Sequence, residues 1–127
     1  SSFYDPKQFV VRALKKIHLN NQNAIKYIKA NDELGIKERL INSIHLLEEL
    51  DMMLNREAEN PTVDRVSNHY QWLMEVYEEI LESLYDNSEE TSKYIKKIES
   101  ASVIVLNLFE GFSGMKDTGE DYNYEVN

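Results

Sequence analysis

The sequence predicts an all-α protein: an antiparallel four-helix up-down bundle with a mobile acidic C-terminal tail. Three observations carry this expectation. Apolar residues recur at intervals of three and four over long stretches, no stretch keeps the alternation of a strand, and the breaks are short and rich in Asn, Asp, Gly or Pro. Short connections between long helices set successive helices antiparallel. A chain of 127 residues holds one domain, here residues 1–112 as the helical bundle and 113–127 as the flexible acidic tail.

The first helix opens at Asp5-Pro6, an N-cap with proline at the first helical position, and Gln8 stands where a capping-box partner belongs. Val10, Leu14, Ile17, Ala24 and Ile28 carry its stripe to about Ala30, against the weak helix propensity of Asn20, Asn21 and Asn23. Asn31-Asp32 and Gly35 then supply a stop and a new cap, and Ile36, Leu40, Ile44, Leu47, Leu50 and Leu54 form the second stripe. Asn60-Pro61 opens the third helix, whose inward residues are Val66, Tyr70, Leu73, Tyr77, Ile80 and Leu84. After Asp86-Asn87-Ser88, Ser88 is the expected cap of a fourth helix, with Glu89 and Glu90 set favourably against its dipole. Tyr94, Ile98, Ala101, Val105, Leu108 and Phe112 face inward, and Gly111 and Gly114 end it. The tail carries Asp117, Glu120, Asp121 and Glu125 with few apolar groups, too few to offset the entropy of ordering it.

The net charge is −9, from 14 Lys and Arg against 23 Asp and Glu. Long-range repulsion from a polyanion therefore argues against a nucleic-acid partner. The charge is uneven: in residues 1–30, Lys7, Arg12, Lys15, Lys16, Lys26 and Lys29 against Asp5 leave +5, whereas residues 31–90 carry −12. The absence of cysteine excludes disulfides and thiol chemistry and suits the cytoplasm. The longest aliphatic run, Val103-Ile104-Val105-Leu106, is far below the ~20 residues a membrane span requires, so no membrane insertion is expected.

Catalytic patterns are sparse. His18, His45 and His69 fall on separate helices without metal-ligand spacing. Arg12 and His18 have a spacing reminiscent of helical HEPN-type ribonucleases, and Glu78, Glu79 and Glu82 resemble half of the magnesium site of all-helical nucleotide pyrophosphohydrolases. The complementary helix offers only Glu99 for the other half, and the isolated glycines form no phosphate loop. No cofactor, metal or catalytic residue is assigned. A helical metal-dependent nucleotide hydrolase or ribonuclease stays open as an alternative.

Apolar residues exceed what a bundle core uses. Ile41, Leu46, Met52 and Met53 are extra on the second helix; Trp72, Met74, Val76, Leu81 and Tyr85 on the third; Val103, Ile104 and Leu106 on the fourth. Around residues 103–109 the fourth helix is apolar almost all round, the pattern of an element buried on two sides. The surplus fits either a subunit seam of a homodimer or a groove for a partner's amphipathic helix, where Met adapts and Trp anchors.

Over about residues 5–112 the chain resembles the FliS family of flagellin-specific export chaperones. The resemblance rests on Asp5-Pro6, on Glu38-Arg39-Leu40-Ile41-Asn42-Ser43-Ile44 leading to Leu47-Glu48-Glu49-Leu50 and Leu54, on 70–81 after a short loop, and on the acidic 86–90. It implies a non-enzymatic cytoplasmic chaperone that holds the disordered C-terminal segment of flagellin, folded as short helices, and so blocks premature polymerisation. The partner is then that segment or another amphipathic helical client. From apolar periodicity, the residues expected to bind it are Leu46, Met53, Trp72, Val76, Ile104 and Leu108.

Overall fold

The computed structural model describes residues 5–57, 59–86 and 90–114. Four helices follow one another: α1 (Pro6–Lys29), α2 (Glu33–Met52), α3 (Pro61–Asp86) and α4 (Thr91–Ser113). They form a four-helix bundle in which α1 packs on α2 and α4, α2 on α3, and α3 closes the ring on α4 with the thinnest of the four contacts. Diagonally opposed helices make no backbone contact. Of the expected tail, Ser113 instead completes α4 and Gly114 caps it; the rest lies outside the described residues.

The helix ends follow from capping. Asp5 accepts from the amides of Lys7 and Gln8 at 3.1 and 3.4 Å, meeting donors that the first turn leaves over. The turn into α2 passes through Asn31 at φ 57°, a left-handed conformation that Asn tolerates better than most residues. Asp32 then caps α2 by accepting from Gly35 N at 3.0 Å. A Cβ on Gly35 would sit 2.7 Å from the ring of Tyr27, so the glycine is what lets α1 and α2 approach here. Asn60 caps the start of α3 by accepting from Thr62 N at 2.9 Å. At α4 the N-cap position falls to Glu90, which makes no side-chain cap bond, and the expected cap Ser88 lies outside the described residues.

Leu14, Ile17, Leu40, Leu47, Leu73, Tyr77, Ile80, Ile98 and Val105 are completely buried. A polar layer crosses this core at mid-height. Asn20 donates to Asn42 Oδ1 at 2.8 Å and Ser43 Oγ at 3.0 Å on α2, and Arg39 reaches Asn20 Oδ1 at 3.5 Å. Asn21 donates to Ser102 Oγ of α4 at 3.0 Å and accepts from Tyr77 Oη of α3 at 2.6 Å. Two adjacent residues of α1 thus tie it to every other helix, and the side-chain nitrogen and oxygen of both asparagines are hydrogen-bonded. Burial holds the Tyr77 phenol well above its ordinary pKa, outweighing the opposite pull of its bond to Asn21.

This layer explains one difference from the expected stripes. Ser43 takes the inward place on α2 and Ile44 is only half-buried, because Asn20 needs a partner there. Leu84, near the end of α3, is half-buried too. Nor is α4 buried on two sides: Val103 and Leu106 are 57 and 40 % exposed, since α4 has neighbours only in α1 and α3.

The α2–α3 connection is held at Asp51. Arg56 pairs with it at 2.6 Å, and Ser67 and Gln71 of α3 donate to its two oxygens at 2.9 and 3.1 Å. Met53 and Leu54, just past α2, turn back into the core.

Candidate functional site: the seam between α3 and α4

Helical geometry sorts the candidate residues by flank. Residues seven apart share a helix face, because 3.6 residues make one turn. On α3, Glu79 reaches Lys97 of α4 at 3.7 Å, so Trp72, seven residues earlier, and Arg65, seven before that, lie on the α4 side. Val76 lies between them and the core line, and Ser67 and Gln71 mark the opposite flank by their bonds to Asp51. On α4, Ile104 is seven residues from Lys97, and Leu108 and Gly111 continue that face. Trp72, Val76, Ile104 and Leu108 therefore line one seam.

Toward the C-terminal end of α4 the seam widens into a cleft of about 200 Å³ lined by Arg65, Val66, His69, Asn107, Leu108, Gly111 and Phe112. Gly111 contributes no side chain to its wall. Further along the seam from this cleft, Trp72 is 40 % exposed and Val76 only 8 %, while Ile104 is half-buried; Leu108, also 8 % exposed, is the one of the four that lines the cleft itself. His69 has a pKa below its ordinary value, first because burial disfavours the charged ring and second because Arg65 lies beside it. Its Nδ1 is buried without a hydrogen-bond partner among the described residues.

Two of the expected residues lie elsewhere. Leu46 is seven residues from Arg39 and four from Asn42, both bonded to Asn20, so it sits on the α1 flank of α2. Met53 is 6 % exposed within the core beyond α2. Neither joins the seam, because α2 faces α1 and α3 and never α4. Arg65, His69, Asn107 and Gly111 were missed by apolar periodicity, although seven-residue spacing from Trp72, Val76 and Ile104 points to Arg65, His69 and Gly111.

The acidic alternative gains no geometry. Glu78, Glu79 and Glu82 are exposed, Glu79 is engaged by Lys97, and no group of three His, Asp or Glu able to hold a metal occurs among the described residues. Among those residues no helix is long and apolar enough to cross a membrane. No protein-family model, curated protein or solved structure matches the chain.

Proposed function

We propose that the chain is a non-enzymatic chaperone or adaptor that seats one apolar face of a client's amphipathic helix in the α3–α4 seam. The observation that carries this reading is an exposed tryptophan one turn from the buried Val76, at the adjacent helix pair with the least mutual contact. With the resemblance to flagellin-specific export chaperones, the disordered C-terminal segment of flagellin is the client to try first, and the cytoplasm the place. A client that folds on binding loses ordering entropy, which keeps the complex releasable.

The test uses the sole tryptophan of the chain. Titration with a synthetic flagellin C-terminal peptide should shift Trp72 emission to the blue, and Trp72→Ala should weaken binding in calorimetry about tenfold or more while helical content stays unchanged. Equal affinity of Trp72→Ala and the parent would defeat the seam as the client site. A second reading has its own observation: Val103 and Leu106 form an exposed apolar strip on the outer face of α4, suited to a second copy. It requires a dimer in sedimentation that Val103→Ser with Leu106→Ser dissociates.

A further inference from the structure

The outer face of α1 carries a second surface, unrelated to the seam. Arg12, Lys15, Lys16, His18, Leu19 and Gln22 surround a shallow cleft of about 420 Å³ whose lining is mainly apolar. Leu19 is 46 % exposed in it, and Arg12, Lys15 and Lys16 make no ion pair among the described residues. In a chain of net charge −9, three cations that pair with no described residue thus stand around an exposed leucine. Its complement is an acidic segment with apolar or aromatic side chains.

The chain itself contains one. Residues 115–127 carry Asp117, Glu120, Asp121 and Glu125 against Lys116, with Tyr122 and Tyr124 interleaved. Their point of departure is also suitable. Ser113, at the end of α4, lines a cleft together with Asp5, Lys7, Gln8 and Val11, so the described chain ends one residue later beside the first turns of α1. From Gln8 to Leu19 the helix rises about 16 Å, whereas the residues of the segment can span up to roughly 40 Å when extended. Length therefore imposes no obstacle.

We propose that residues 115–127 dock on the outer face of α1 of the same chain, their carboxylates against Arg12, Lys15 and Lys16 and a tyrosine against Leu19. Docking covers the basic patch and turns an interaction surface for acidic partners into an internal one. Each ion pair is exposed and weak alone, so the association depends on several together and is sensitive to salt.

The test uses the full chain and its lack of native cysteine. A nitroxide attached to Tyr124→Cys in isotope-labelled protein should broaden the amide signals of residues 12–22 selectively. Half-molar salt, or Lys15→Glu with Lys16→Glu at these exposed positions, should reduce the broadening several-fold. Broadening that appears in labelled protein mixed with an unlabelled spin-carrying copy would assign the contact to a second molecule and overturn the proposal. So would broadening centred on Trp72 and Ile104, which would put the segment in the seam, or no broadening of α1 at all.

Discussion

Replacing Tyr77 by Phe removes one oxygen from the centre of the bundle, and its cost can be worked out. The hydroxyl donates to Asn21 Oδ1 at 2.6 Å, and both residues are completely buried. The lost bond alone is worth about 1 kcal/mol net, but Asn21 Oδ1 then stays desolvated without a donor, which raises the expected loss to about 2 kcal/mol. Asn21→Ala costs more, about 3 kcal/mol, because it also strips Ser102 of its donor at 3.0 Å and leaves a void. The two changes share one bond, so the double variant should cost about 1 kcal/mol less than the two single losses added together. Urea unfolding followed by circular dichroism measures each value. With a slope of about 2 kcal/mol per molar, Tyr77→Phe moves the midpoint down by roughly 1 M. A neutral Tyr77→Phe, or strictly additive losses, would show that the polar layer does not hold the helices together as the bond geometry requires.

Three further perturbations follow. The folded chain disfavours the charged ring of His69, whose pKa lies below the unfolded value of 6.5; below about that pH the unfolded chain binds the extra proton first. Stability should therefore be full above it and decline as pH falls toward the folded pKa, and a His69→Gln variant should decline less across the same urea series. Gly35→Ala drives a methyl to 2.7 Å from the Tyr27 ring and should cost about 1–3 kcal/mol, a fall in thermal midpoint that scanning calorimetry resolves. At Asn31, with φ 57°, substitution by Ala should lose about 1 kcal/mol and by Gly nothing, and equal losses would contradict the backbone argument.

The helices themselves were legible because their signals are local. Asp5-Pro6, Asn31-Asp32 and Asn60-Pro61 bring cap, donor and start within a few residues, and the structure uses all three. Asn20 and Asn21 were legible only as weak helix formers. Their partners, Ser43, Tyr77 and Ser102, are far away in sequence, and no local pattern says that a polar pair in α1 will meet them. The seam was legible in part for a similar reason. Periodicity gives the face of a helix, and Trp72, Val76, Ile104 and Leu108 do share the α3–α4 side, but the order of helices around the ring is decided by tertiary packing. Leu46 and Met53 have the same apolar character and end against α1 and in the core.

The polar layer and the seam bear on each other. α3 is fixed to α1 across the diagonal by Tyr77 and to α2 by the oxygens of Asp51, while α4 is fixed to α1 by Ser102. With both helices positioned through third parties, their direct contact can stay thin without loss of register. A client helix that parts α3 and α4 near His69 and Leu108 would then strain neither set of bonds. Under this account the two kinds of substitution separate: Tyr77→Phe lowers stability and leaves peptide affinity near that of the parent, whereas Trp72→Ala, at a residue 40 % exposed, does the reverse. If both variants lost stability and affinity in parallel, the seam would be part of the core and not a surface held open by it.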